Sequence, residues 1–237
     1  MAPVDPIDAV LFDWGDTLFH PPDATRVVLE AARERGLTLD EGEARRIWVE
    51  LWQAGKSPEE VGTDRDLSPE RHRAVWVRLF SRADGRVPGL SVRLYDRVMD
   101  VRRWLPYEDV RATLEQLRAR ALRIGLVSNT AHDLRSVFAA HGLATLIDAY
   151  VLSFEKGVAK PSSRLFEIAS RDIGAPAART LMVGDHPDAD GAAAAAAGMQ
   201  TFVLPAWSGF GPRGLARVVE LVDRSRPGRW DSDVRRE

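Results

Sequence analysis

The sequence predicts an α/β fold, a doubly wound parallel sheet into which a block of helices is inserted. Three observations carry this. From Pro106 to Leu204, short apolar runs alternate with amphipathic helical stretches, the pattern of parallel strands joined by crossover helices. From about residue 24 to 105 the chain shows helical periodicity and almost nothing strand-like. A separate apolar run, Ile7 to Phe12, precedes that block and supplies a first strand.

That first run ends in Asp13-Trp14-Gly15-Asp16-Thr17, a buried strand entering a tight turn. Beyond Pro21 and Pro22, three sets of residues repeat at three-four spacing: Ala44, Ile47, Trp48, Leu51 and Trp52; Val75, Trp76, Leu79 and Phe80; and Leu94, Tyr95, Val98, Val101 and Leu105. Roughly four helices are expected here, with Gly55 to Ser68 as an internal loop. Four of the seven tryptophans lie in this block, where they read as the packing of a small helical bundle.

Past Pro106, Val110, Leu114 and Leu117 mark a helix, and Leu122 to Val127 a buried strand ending at Ser128-Asn129-Thr130. A helix with Leu134, Val137 and Phe138 leads to a strand at Ala149 to Leu152. The next helix starts near Pro161 and carries Leu165, Phe166, Ala169 and Ile173 on one face. A strand from Thr180 to Val183 runs into Gly184-Asp185, and Gln200 to Leu204 makes the last one. The alanines from Ala192 to Ala197 predict a helix packed close to the sheet. The expected organisation is a Rossmann-like core domain from residues 1–20 and 106–225, a helical cap from 21–105, and a disordered tail from 226–237.

Composition narrows the function. The chain has 237 residues, 45% hydrophobic and 29% charged, ordinary values for a folded domain. A net charge of −2 lacks the basic footprint of a nucleic-acid binder. Without cysteine, thiolate metal sites, disulfides and cysteine nucleophiles are excluded. No signal peptide or membrane span is expected, so the prediction is a cytoplasmic protein without membrane or nucleic-acid partners. Oligomeric state is not legible. Only Lys56, Lys156 and Lys160 are lysines among 33 basic residues.

In an alternating α/β fold, ligands bind beyond the carboxyl ends of the strands. Asp13, Ser128 with Asn129, Lys160, and Asp185 with Asp190 all fall at such junctions. Each has an ordinary structural reading, as turn, helix cap or surface charge. Together they offer hard carboxylate ligands suited to Mg²⁺ and a hydroxyl, an amide and an ammonium suited to phosphate oxygens.

Asp13-x-Gly15-Asp16-Thr17-Leu18, Ser128-Asn129, Ser153-x-Glu155-x-Gly157-x-x-Lys160-Pro161 and Gly184-Asp185-x-x-x-x-Asp190-x-x-Ala193 resemble the four motifs of the haloacid dehalogenase superfamily. The resemblance spans roughly residues 7 to 205. The inserted helices resemble the cap of the branch that includes phosphoglycolate phosphatase and β-phosphoglucomutase. It implies a Mg²⁺-dependent phosphatase of a small phosphorylated metabolite, in which Asp13 attacks phosphorus and forms an aspartyl-phosphate. Asp13, the Gly15 carbonyl, Asp185 and Asp190 would hold the metal. Ser128, Asn129, Lys160 and Thr17 would serve the phosphate, Thr17 also ordering the first loop. His186 is expected to line the loop only, and His20, His72, His132 and His141 to be structural or surface groups.

The pattern departs from the phosphatases at one point. Their general acid/base, two places after the nucleophile, is replaced by Gly15, and an aspartate follows at Asp16. One step along extended backbone turns a side chain to the opposite side, so Asp16 reads as a turn residue tolerant of the left-handed conformation, and it replaces the missing group only if the loop is reshaped. The departure leaves room for a 2-haloacid dehalogenase, a phosphonoacetaldehyde hydrolase using Lys56 as a Schiff base, or a catalytically weak binding protein.

Overall fold

Five parallel strands place the candidate residues along one edge of the molecule. The computed structural model describes residues 5–61, 63–206 and 211–226. In chain order, β1 (Ala9–Phe12) is followed by two-residue strands β2 (Phe19–His20) and β3 (Leu105–Pro106), then β4 (Arg123–Ser128), β5 (Ala149–Leu152), β6 (Thr180–Gly184) and β7 (Gln200–Val203). The main sheet has the order β5-β4-β1-β6-β7 and every pairing in it is parallel. Phe12 stands level with Leu126 on one side and Val183 on the other. Asp13, Ser128 and Asp185 therefore emerge side by side.

Between β2 and β3 run α1 (Ala24–Arg33), α2 (Glu41–Gly55), α3 (Pro58–Val61), α4 (Pro69–Phe80) and α5 (Leu90–Val98). They bury their own apolar cluster around Val28, Ile47, Leu51, Trp76, Leu79, Phe80 and Leu94. Local signals start these helices: Asp40 and Glu43 form a reciprocal capping box at α2, and Ser68 caps α4. The segment expected as a loop from Gly55 to Ser68 instead holds α3 and a 3₁₀ turn, Asp64–Leu67. Four-residue elements are too short to show a period. The β2–β3 ribbon was likewise illegible, since two residues cannot alternate.

In the sheet, Val10 and Phe12 face one apolar layer and Ala9 and Leu11 the other, the two-residue period of a strand buried on both faces. The first layer is closed by α6 (Val110–Ala119), α7 (Arg135–Ala140) and the C-terminal helix. After the one-turn α8 (Ser153–Lys156), α9 (Ser163–Ile173) covers the second layer with Leu165, Phe166, Ala169 and Ile173, the face read from the sequence. The alanine run is only partly α-helical: a wider π-turn, Pro187–Ala192, precedes α10 (Ala193–Ala196). α11 (Ala216–Ser225) ends at Arg226, which is buried and ion-paired with Asp8. The rest of the predicted tail, 227–237, lies outside the described residues. Among the described residues no helix is long and apolar enough to cross a membrane.

Candidate active site

Asp13, the first residue after β1, is 8% exposed and opens into a cavity of about 150 Å³ between sheet and helical insertion. Its Oδ1 accepts a hydrogen bond from Lys160 Nζ at 2.5 Å, and the same ammonium donates to Asp190 Oδ1 at 2.6 Å. The backbone of Lys160 is held by Asn129: its N–H donates to Asn129 Oδ1 (2.7 Å), and Asn129 Nδ2 donates to its carbonyl (2.8 Å). Asn129 thus positions the lysine. Ser128 lines the cavity beside it. Thr17 is fully buried and absent from the cavity wall; its hydroxyl faces Asp13 Oδ2 at 3.4 Å. That geometry suits ordering the first loop and not the phosphate contact expected for Thr17.

Asp13, Asp185 and Asp190 bring carboxylate oxygens within 4.8 Å of one another. Hard oxygen donors at this spacing are able to hold a divalent cation, and Gly15 lines the same cavity. Asp190 reaches the site from the π-turn, where its Oδ2 accepts the His186 N–H at 3.0 Å. Gly184 makes room for it: a Cβ there would sit 2.2 Å from Asp190 Oδ2. Burial, with the Asp190 and Asp185 charges adding and the Lys160 ammonium opposing, pushes the Asp13 carboxyl up to about 7. Burial works against the charge on Lys160, but Asp13 and Asp190 outweigh it and hold the ammonium above its ordinary range. His186 lines the cavity, and its ring Nδ1 accepts the Ala189 N–H at 3.2 Å.

Asp16 does adopt the left-handed conformation, with φ of 56°, but its side chain does not turn away. The left-handed step reshapes the loop and directs the carboxylate into the cavity. There Oδ2 accepts bonds from Trp52 Nε1 at 3.1 Å and Lys56 Nζ at 2.6 Å. Lys56 also donates to Asp185 Oδ2 at 2.7 Å. Burial lowers the Lys56 pKa, but the two carboxylates prevail and raise it above its ordinary value. Gly15 also has a steric reason: a Cβ there would lie 3.3 Å from Trp104 Cζ3. Trp104 stacks on Trp14 with ring centroids 4.3 Å apart and donates to the Val98 carbonyl at 2.8 Å. The Trp104 indole crowds the place where the phosphatase acid/base side chain would begin.

Several residues of this cavity were not identified from the sequence. Trp76 and Trp104 are buried as bundle packing predicts, yet with Trp52 they also form its wall. His72 and His132 line it too, their rings 5.3 Å apart across the interface between insertion and core. Burial, with His132 and Arg65 adding, pulls His72 down to about 3. Arg65 and Asp66 come from the short 3₁₀ turn. The scarcity of lysine was the one available signal, and it pointed at Lys56.

A parallel α/β core with a carboxylate cluster at its strand ends and helices closing over it defines a capped hydrolase. Residues 7–198 match the haloacid dehalogenase-like hydrolase family, and the chain belongs to that family. It is 28% identical to a ribulose-1,5-bisphosphate 5-phosphatase of Halopiger xanaduensis, over 92% of this chain and 90% of that protein. It is 31% identical to a glyceraldehyde 3-phosphate phosphatase of Methanopyrus kandleri, over 82% of each. An L-2-haloacid dehalogenase crystal structure shares the fold, with a TM-score of 0.68 at 20% identity, covering 92% of this chain and 99% of that one.

Proposed function

We propose that this protein is a Mg²⁺-dependent phosphatase of a small phosphorylated metabolite, with Asp13 as nucleophile. The observation that carries the reading is the Lys160 ammonium shared by Asp13 and Asp190, within a cluster of three carboxylates at the strand ends. Relatives named as phosphatases along most of the chain support the same class.

Asp13 attacks phosphorus, the bond to the leaving oxygen breaks, and an aspartyl-phosphate forms. Water then attacks that phosphorus, releasing inorganic phosphate and regenerating the carboxylate. Two anions must approach each other, and Lys160 with the Ser128 hydroxyl offsets their repulsion and orients the phosphoryl oxygens. Asp13, Asp185, Asp190 and the Gly15 carbonyl would hold Mg²⁺, which would supply the remaining positive charge. No carboxylate at position 15 protonates the leaving group, so esters with good leaving groups react fastest.

The Schiff-base alternative is disfavoured. It needs a neutral amine, and Asp16 with Asp185 holds Lys56 as an ammonium. The test is p-nitrophenyl phosphate hydrolysis with and without chelator, in the parent and in Asp13→Asn. Turnover that needs Mg²⁺ and is lost in Asp13→Asn is the expected result. Metal-free release of chloride from a 2-chloroacid would move the protein to the dehalogenases instead.

A further inference from the structure

The insertion's side of the cavity carries a guanidinium held in place by its neighbours. Arg65 is only 7% exposed. Its Nη1 donates to the Gly55 carbonyl at 2.7 Å, and Nε to Asp66 Oδ2 at 3.3 Å. Its charged carbon lies 4.6 Å from the centroid of the Trp76 ring. That ring in turn packs against Gly55, where a Cβ would approach it to 2.5 Å. A guanidinium so fixed on two edges and one face has lost its side-chain freedom before any ligand arrives.

The third nitrogen, Nη2, has no hydrogen-bond partner among the described residues, yet it is not one of the buried unpartnered atoms. Arg65 lines the active-site cavity, and the partnerless edge of its fork is not sealed from solvent. A substrate end without an acceptor closing over it would desolvate a charged donor without replacing its hydrogen bond, which is costly. An oxyanion would satisfy it. On the phosphatase reading Lys160, which lines the same cavity, serves the phosphoryl group, and a cavity of about 150 Å³ admits only a short skeleton.

We infer that Arg65 is a specificity-determining residue that receives a second anionic group, so the substrate is a short phosphate monoester also carrying a carboxylate or a second phosphate. This rests on the phosphatase reading above. The test compares kcat/KM within matched pairs: 3-phosphoglycerate against glycerol 3-phosphate for a carboxylate, and propanediol 1,3-bisphosphate against 3-hydroxypropyl phosphate for a phosphate. The parent should prefer the member with the second anionic group in at least one pair by about 10- to 100-fold, the range of a hydrogen bond to a charged group. In Arg65→Met that preference should collapse, chiefly through KM. Arg65→Lys, which keeps the charge without the fork, should retain part of it.

A parent enzyme with no preference in either pair overturns the inference whether or not the variants fold. So does an Arg65→Met enzyme whose preference is unchanged. If the parent hydrolyses no phosphate monoester, p-nitrophenyl phosphate included, the phosphatase reading fails first and takes this inference with it.

Discussion

Restoring the missing acid/base at position 15 is the sharpest test of what the structure adds. A positioned general acid/base is worth roughly 10²- to 10⁴-fold, so Gly15→Asp would be expected to speed alkyl phosphate hydrolysis. The packing opposes it. The new Cβ would stand 3.3 and 3.6 Å from Trp104 Cζ3 and Cη2, before the carboxyl group is added. Trp104 is 4% exposed and held by its stack on Trp14 and its bond to Val98. Forcing atoms into such a place costs about 1–3 kcal/mol, a fall in Tm of roughly 3–10 °C for a chain of this size. The single variant should therefore melt earlier and gain less than about tenfold in its alkyl-to-aryl rate ratio. Gly15→Asp with Trp104→Leu, which removes the ring, should gain more in that ratio despite a further loss of stability. The assay is calorimetry beside steady-state rates on glycerol 3-phosphate and p-nitrophenyl phosphate. Gly15→Asp alone with an unchanged Tm and a large gain would refute the steric argument. No gain in either variant would show that a carboxylate at position 15 is not what this site lacks.

Gly184→Ala should abolish turnover with the fold retained, because its methyl group would displace Asp190; Mn²⁺ titration checks the accompanying loss of metal affinity, and wild-type affinity would contradict it. Asp13 links stability to pH in metal-free protein. Its folded pKa of about 7 exceeds the ordinary 3.8, so its contribution is full at low pH and is lost as pH rises between those values. The Tm of Asp13→Asn minus that of the parent should accordingly grow across this window, and a flat difference would be inconsistent with a raised pKa. Lys56→Met leaves Asp16 and Asp185 without their shared cation. A broken, partly exposed ion pair of this kind should lower stability by about 1–3 kcal/mol, read as a lower denaturation midpoint. Borohydride with phosphonoacetaldehyde should leave the parent's Lys56 unmodified; a trapped adduct would restore the Schiff-base alternative.

The sequence by itself determined the parallel sheet and the helical insertion, and it pointed to Asp13, Ser128, Lys160, Asp185 and Asp190 as the candidate site. Those signals are local: an apolar run, a change from helical to alternating pattern, a polar residue where the run stops. Asp185 and Asp13 could be placed together because strands pairing in parallel bring their carboxyl ends to one edge. Tertiary structure decided the rest. Asp16 enters the cavity because one left-handed residue reverses the alternation expected of extended chain. Lys56, Arg65 and Trp104 reach the site from turns and helix ends 40 or more positions from Asp13, where no periodicity marks a side chain's direction. Gly15 is the clearest case. Its sequence reading is the loss of an acid, whereas the fold shows an indole crowding the point where that acid would begin, a packing constraint set by residues distant in the chain.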